Sequence, residues 1–332
     1  MNQGQRLPST GSNRLANRGL GLVAAALAVA CALPPVVRAQ DYGGVSDQAL
    51  EAGPHLLELA SSIEALGLGG AHMGSGAHAI FSHPALVDGG GVSSLVQRFG
   101  SGATRVTASG GTNWFGGGVA IGLAVLEYGA PGADPALLLS DEAALAVPGP
   151  TGAVDFVVAA GFSRSVMGVE AGLSAKLVGQ RLGSGRATTG ALDLGVAKGF
   201  GPATVALSVQ NLGPALESDG VSPGQDLPLA KRVALGAFSR RYPLGPLDIG
   251  GAAQLARTGQ GDIEVGGGLE IAWWPVAGRT FVGRIGGRHT GDGTASPVTV
   301  GAGFAGDRIR LDYAFQGYDS VDGAHSFGLA FR

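Results

Sequence analysis

The chain has few of the residues on which soluble enzymes and disulfide-linked domains depend. Charged residues make up only 14% of its 332 residues and aromatic residues 6%, and it has a single cysteine, Cys31. One cysteine excludes an internal disulfide. The charged content is well under the roughly 25% typical of soluble domains, which argues against a soluble fold. The formal charge of −3, with no Lys/Arg stripe among aromatics, gives no indication of a nucleic-acid partner.

Long apolar runs are also missing, although 45% of the residues are hydrophobic. No stretch after residue 40 holds the roughly 18 uninterrupted apolar residues of a membrane-spanning helix. The hydrophobic residues must therefore be distributed over many short segments. The 61 glycines follow no triplet period, which excludes collagen, and they suit turns, bulges and close approaches between strands.

Sequence motifs for catalysis are absent as well. The chain has no His-Glu-x-x-His, no cysteine cluster, no phosphate-binding loop and no Gly-x-Ser-x-Gly elbow. His72, His78 and His83 are close in sequence but share no helix-face or hairpin spacing. We therefore expect no enzyme activity, no cofactor and no metal.

Alternation of apolar and polar residues is the strongest signal that is present. Between residues 262 and 273, apolar side chains at odd positions alternate with Glu264, Gly266, Gly268 and Glu270. A shift of one residue would place both glutamates in lipid, so the register is determined. This pattern is typical of a transmembrane β-barrel with an apolar outside and a polar inside. A soluble sandwich with scattered core aromatics is the weaker alternative.

Similar runs of mostly 8 to 12 residues recur along the chain, close to the 9 to 11 that a tilted membrane strand needs. They predict an all-β, antiparallel barrel of about fourteen strands, an even number as single-chain bacterial barrels require. The predicted strands are 92–99, 102–110, 116–126, 153–163, 168–179, 190–197, 203–210, 231–240, 247–255, 262–273, 280–288, 297–304, 308–315 and 324–331. Candidate interfacial aromatics are Trp273, Trp274, Tyr313, Phe315, Phe327 and Phe331.

Charged residues at inward positions of neighbouring strands carry both signs, so we expect them to pair across the lumen, because an unpaired buried charge is costly. A porin constriction also uses facing charges and is the alternative. These residues are Asp248, Glu264, Glu270, Arg284, Arg288, Arg310 and Asp312.

Three regions follow from this pattern. Residues 1–39 are expected to be a secretory signal peptide, with arginines ahead of an apolar run and a small-residue exit at Ala39. A lipoprotein site at Cys31 is the alternative. Residues 40–90 are expected to form an N-terminal periplasmic or plug segment, with a short helix within 44–65. Residues 91–332 are expected to form the barrel. Long loops at 128–150 and 213–228 are expected to be extracellular, where partners would bind.

The segment from Ala65 to Val87 contains ALGLGGA followed by HPA, and it resembles the entry motif of the PorV/PorQ group of outer-membrane barrels, a branch of the FadL-like transporters. The likeness extends to 191–200, 205–216, 227–240 and 308–316, in the family's usual order. His83 stands where the family usually has asparagine. The resemblance implies an outer-membrane location and ligand or plug roles for Gly67, Gly69, Gly70, His83, Pro84 and Ala85.

Two functions are consistent with this resemblance. The first is a component of type IX secretion that binds secreted protein cargo or secretion-system subunits, with membrane lipid around the barrel. The second is a FadL-like channel for hydrophobic small molecules, in which the N-terminal segment plugs the lumen and a kink or gap in one strand releases the ligand. A polar, closed lumen favours the first, and a continuously apolar lumen favours the second.

Overall fold

The structure, a computed structural model, describes residues 54–71, 74–100, 102–128, 153–182, 185–217, 226–259, 261–289, 295–318 and 323–331. The predicted signal peptide, Cys31, residues 40–53 and nearly all of the predicted loop at 128–150 lie outside these ranges. Among the described residues, no helix is long and apolar enough to cross a membrane.

Fourteen antiparallel strands form one closed barrel, which we call the wall. They are β1 (Gly90–Arg98), β2 (Thr104–Trp114), β3 (Gly117–Glu127), β4 (Ala153–Val166), β5 (Val169–Leu182), β6 (Gly185–Phe200), β7 (Ala203–Leu212), β10 (Arg232–Ser239), β12 (Leu247–Thr258), β13 (Ile263–Val276), β14 (Arg279–His289), β15 (Ala295–Ala305), β16 (Ile309–Tyr318) and β17 (Ala324–Phe331). The predicted fold class and strand number are confirmed.

Two pairings close the sheet. The first strand pairs with the last, from Val92 opposite Phe331 to Arg98 opposite His325. β10 lies between β7 and β12 and pairs with both. Three short strands were not predicted: β8 (Leu216–Glu217) and β9 (Asp226–Leu227) pair with each other, and β11 (Tyr242–Leu244) pairs with β12. Closure leaves no free sheet edge around the barrel, as a lipid environment requires.

The two ends of the barrel differ. At one end, which we call the turn end, two-residue turns join β2 to β3 and β4 to β5, and β1 begins and β17 ends there. Both residues of the turns Phe115-Gly116 and Met167-Gly168 have positive φ angles, the conformation that matches hairpin twist. At the opposite end, the loop end, lie the connections after β3 and after β7.

The register places apolar side chains outside, as the alternation predicts. On β13, Leu269 is 58% exposed and Ile271 48%, whereas Glu264 and Glu270 point into the lumen and are only 16% and 14% exposed. Small residues dominate the inward positions of several strands, including Ala187, Ala191 and Ala197 of β6. The lumen therefore has room for other parts of the chain.

Aromatic side chains cluster on the outside near the turn end. Trp273 and Phe281 have ring centroids 5.9 Å apart, and Phe281 and Phe304 have centroids 5.3 Å apart, so the contacts run across three strands. Trp273, Trp274 and Phe327 are well exposed. Tyr313, Phe315 and Phe331 are only partly exposed.

Candidate functional site

Residues 54–71 and 74–89, which we call the plug, cross the lumen from the loop end to the turn end. Near the loop end, the backbone N–H of Leu56 donates to Asp155 Oδ2 at 3.4 Å, and the Tyr128 hydroxyl donates to the same oxygen at 2.6 Å. Asp155 is fully buried and also accepts from Gln180. At the turn end the plug continues directly into β1.

The described part of the plug has little α-helix, and residues 44–53 of the predicted helical region lie outside it. Its only α-helix in the described residues is α1 (Ile63–Gly67), which begins where the Ser62 hydroxyl accepts the N–H of Ala65 at 3.1 Å. Residues His55–Leu57, Ala77–Phe81 and Pro84–Leu86 are 3-10 turns. The predicted helix within 44–65 is thus wrong for residues 54–62, because Ser62 is extended and caps a later helix.

Glycines on the inside of the wall let the plug backbone approach closely. A Cβ at Gly268 would lie 2.8 Å from Leu68 Cα, and one at Gly286 would lie 2.7 Å from the same atom. A Cβ at Gly172 would overlap the backbone of Pro84 and Ala85. Side chains at these positions would force the plug away from the wall.

Three cationic side chains of the wall hold the plug at separate points. Arg105 of β2 donates to the carbonyl of Ala60 at 2.5 Å, and Lys176 of β5 donates to the carbonyl of Phe81 at 2.9 Å. Arg310 of β16 forms an ion pair with Glu64 of α1. These contacts fix the plug from three sides of the lumen.

Lys176 also belongs to a buried ion pair. Its Nζ lies 2.6 Å from Asp193 Oδ2 and 2.9 Å from Asn211 Oδ1, and the side chains of Lys176 and Asp193 are 1% and 0% exposed. Opposite Asp193 the β6–β7 ladder shifts register, Asn211 has a φ of 59°, and its N–H donates to Asp193 Oδ1 at 2.7 Å. This bulge lies beside Gly213 and Pro214. A kink or gap in one strand is the feature that the sequence analysis associates with a FadL-like channel.

Most of the charges assigned to the lumen from sequence occur in two ion-pair networks. Glu264 pairs with Arg232 at 2.6 Å and with Arg288 at 3.4 Å. The second network runs along the side chains of Arg241, Glu270, Arg284, Asp312, Arg310 and Glu64, and thus connects the wall to the plug. Asp248, the second residue of β12, shares the inward position near the turn end, and none of the ion pairs among the described residues includes it.

The glycine and HPA positions singled out by sequence lie in the plug. Gly67 packs against Arg284 and Gly301, and Gly69 has a φ of 64° and donates its N–H to Thr299 Oγ1 at 3.1 Å. Gly70 also has a positive φ. Pro84 and Ala85 form a buried turn against β5 and β6.

His83 is buried against the wall, 2% exposed, and a Cβ at Gly195 would lie 3.0 Å from its Cε1. Burial lowers the pKa of His83 from 6.5 to about 4, because the charged ring would lose its hydration. The imidazole is therefore neutral at pH 7.

The sequence did not single out six residues that contact the plug or belong to ion pairs, namely Arg105, Asp155, Lys176, Asp193, Arg232 and Arg241. Lys176 and Asp193 could have been found, since each occupies an inward position between outward apolar residues. The signal is the same as the one that identified Glu264 and Glu270. The plug carbonyls that Arg105 and Lys176 bind carry no sequence signal.

Among the cavities between the described parts of plug and wall, two lie inside the lumen. The first, of about 50 Å³, lies in the loop-end half, with Leu57, Leu59 and Phe81 of the plug facing Gln210 and Arg232 of the wall. The second, of about 260 Å³, lies in the turn-end half beside β1, β16 and β17. In the described part of the chain, no three His, Cys, Asp or Glu residues are grouped as metal ligands, and His72 lies outside that part.

No protein-family profile matches the chain, and no curated protein matches its sequence. Solved structures share its fold. The toluene transporter TodX of Pseudomonas putida superimposes with a TM-score of 0.51 at 12% identity, over 80% of this chain and 95% of TodX. The monoaromatic hydrocarbon channel CymD gives 0.53 at 10% identity, over 85% and 98%. At these identities the comparison establishes a shared barrel fold.

Proposed function

We propose that the protein is an outer-membrane channel for small hydrophobic molecules and is not an enzyme. The apolar outside of the wall suits lipid. The turn end would face the periplasm and the loop end the exterior, because bacterial barrels have short periplasmic turns and longer extracellular loops. The structures that share the fold over nearly their whole length include a toluene transporter and a monoaromatic hydrocarbon channel.

The observation that carries the proposal is a lumen that is filled by the plug yet retains internal cavities. The second cavity, of about 260 Å³, has room for a molecule with a single ring, whereas the first, of about 50 Å³, brings Leu57, Leu59 and Phe81 together but must widen to admit one. Both cavities are lined by apolar and polar side chains together, and small-molecule sites likewise combine apolar surface with polar groups that fix orientation. The plug is therefore expected to admit small apolar molecules and to exclude large or charged ones.

The wall bulge at Asn211 supports the same function. A strand irregularity beside Gly213 and Pro214 is the feature that would allow a ligand to leave the lumen sideways. The buried ion pair of Lys176 and Asp193 stabilises the wall next to it.

A secretion role of PorV/PorQ type finds no support in the comparisons with known proteins. A polar lumen would by itself favour a secretion role, but the polar side chains of this lumen have a different explanation. The inward charges pair with one another and with the plug, so they hold the plug in place. Their presence does not argue for protein cargo.

The test is toluene entry into cells that carry the protein in an outer membrane with a lipopolysaccharide outer leaflet, since toluene crosses an ordinary phospholipid bilayer unaided. We expect faster toluene entry than in cells without the protein and no change in arabinose entry. Leu59→Trp, which narrows the first cavity, should slow toluene entry. Leu207→Trp on the lipid-facing side of β7 should not, because Leu207 is exposed and lines neither cavity. Equal toluene entry with and without the protein would exclude the proposal.

A further inference from the structure

The second cavity lies in the turn-end half of the lumen, and the first lies in the loop-end half. Ser61 of the plug lines both cavities. Its hydroxyl is 2.8 Å from the hydroxyl of Ser82, so a single pair of small side chains lies where the cavities meet.

The lining of the second cavity is apolar on one side and carries one unused hydroxyl. Ile63, Leu95 and Leu329 supply the apolar side. Thr107 of β2 is 3% exposed, and its Oγ1 has no hydrogen-bond partner among the described residues. Buried hydroxyls are nearly always paired, so this one is suited to a ligand.

The neighbouring hydroxyls are already engaged. Ser62 caps α1, Ser93 bonds to Ser109 at 2.8 Å, and Ser94 donates to the carbonyl of Leu329 at 3.5 Å. Ser75, which also lines the cavity, is exposed to solvent. The buried hydroxyl that a ligand would meet unpaired is therefore that of Thr107, and recognition would depend on it.

The charges around the cavity disfavour an anion. Glu64, Asp88 and Asp312 line it, and the one guanidinium that lines it, Arg310, is held by Glu64 and Asp312. A carboxylate ligand would face three like charges and an arginine that is already paired. A neutral ligand avoids this cost.

We infer that the second cavity binds a neutral molecule with an apolar body and one hydroxyl group, such as an aromatic alcohol. Its ring lies against Ile63, Leu95 and Leu329, and its hydroxyl bonds to Thr107 Oγ1. The volume of about 260 Å³ is near the lower end of small-molecule pockets, which suits a single ring. This inference rests on the proposed function and names the substrate class of the same channel.

The experiment uses the full protein folded in detergent micelles and three probes with the same ring: benzyl alcohol, toluene and benzoate. Binding is measured by ligand-observed NMR against protein-free micelles. We expect benzyl alcohol to bind more tightly than toluene and benzoate to bind most weakly. Thr107→Val, which keeps the shape but removes the hydroxyl, should weaken benzyl alcohol by about threefold to tenfold and leave toluene unchanged.

Thr112→Val is the matched control, since Thr112 lies on the same strand but is exposed outside the cavity, and it should change neither affinity. Ser93→Phe, which fills the cavity, should abolish the preference for benzyl alcohol. Equal effects of Thr107→Val and Thr112→Val, or tight benzoate binding, would overturn the inference. If toluene still enters cells in that case, the proposed function stands; if toluene does not enter, the proposed function has failed separately.

Discussion

Removal of the Lys176 charge is the perturbation with the largest expected effect on stability. Lys176→Met leaves Asp193 buried without a counter-ion and deprives Phe81 O and Asn211 Oδ1 of a donor. Breaking a buried ion pair by removing one partner costs about 3–5 kcal/mol. The equilibrium constant for unfolding should therefore rise roughly a hundredfold to several thousandfold.

A double variant distinguishes the cost of the unpaired Asp193 charge from the cost of the other lost hydrogen bonds. Replacing both members by apolar residues, Lys176→Met with Asp193→Leu, removes the uncompensated charge, a change that is often nearly neutral. The N–H of Asn211 then loses its acceptor at 2.7 Å, which costs about 1–3 kcal/mol. We expect the double variant to be more stable than Lys176→Met and somewhat less stable than the unmodified protein.

The assay is the folded fraction across a urea series, read from the faster gel migration of folded barrels in unheated samples. Lys198→Met is the control, because Lys198 is exposed on β6 and only contacts the ring of Phe200 at 5.5 Å. It should cost under about 1 kcal/mol. A Lys176→Met variant as stable as Lys198→Met, or a double variant no more stable than Lys176→Met, would show that an unpaired buried Asp193 does not destabilise the barrel.

Three further predictions concern plug, lipid face and pH. Gly286→Ala should displace the plug, at a cost of about 1–3 kcal/mol, and expose it to protease, whereas Gly283→Ala on the same strand, with nothing within 4 Å, should not. Leu269→Arg at the middle of β13 should destabilise the barrel by about 2–4 kcal/mol, and Leu244→Arg, equally exposed but at the turn end, by about 0–1 kcal/mol. Because the pKa of His83 is lowered to about 4 in the fold, the unfolded chain binds more protons than the folded protein between pH 6.5 and 4. The free energy of unfolding should therefore fall by about 3 kcal/mol as the pH drops through that window. His83→Phe should flatten this urea-stability profile, and an unchanged profile would contradict the role given to burial.

The wall was predictable because strand alternation is local. Each of the fourteen predicted runs corresponds to a strand, and the predicted 203–210 differs from β7 by only two residues at one end. Glu264 and Glu270 could be placed in the lumen because the opposite register would put both in lipid. No knowledge of distant residues was needed for either.

The plug could not be predicted in the same way, because its conformation depends on long-range contacts. Residues 55–62 carry apolar side chains at helical spacing, yet contacts to Asp155 and Arg105, far along the chain, hold them in other conformations. The carbonyls of Ala60 and Phe81 leave no trace in the sequence as binding partners. The unpaired hydroxyl of Thr107 likewise becomes visible only when its neighbours are in place.

Whether the wall faces lipid with its apolar side is tested most directly by oxygen accessibility of spin labels placed along β13, between residues 263 and 271, in a lipid bilayer. A closed barrel with an apolar outside predicts high accessibility at Ile263, Val265, Leu269 and Ile271 and low accessibility at Glu264 and Glu270, which face the lumen. Labels at Gly266 and Gly268 are left out because they would displace the plug. High accessibility at Glu264 and Glu270, or no alternation, would contradict a barrel with a charged inside and an apolar outside.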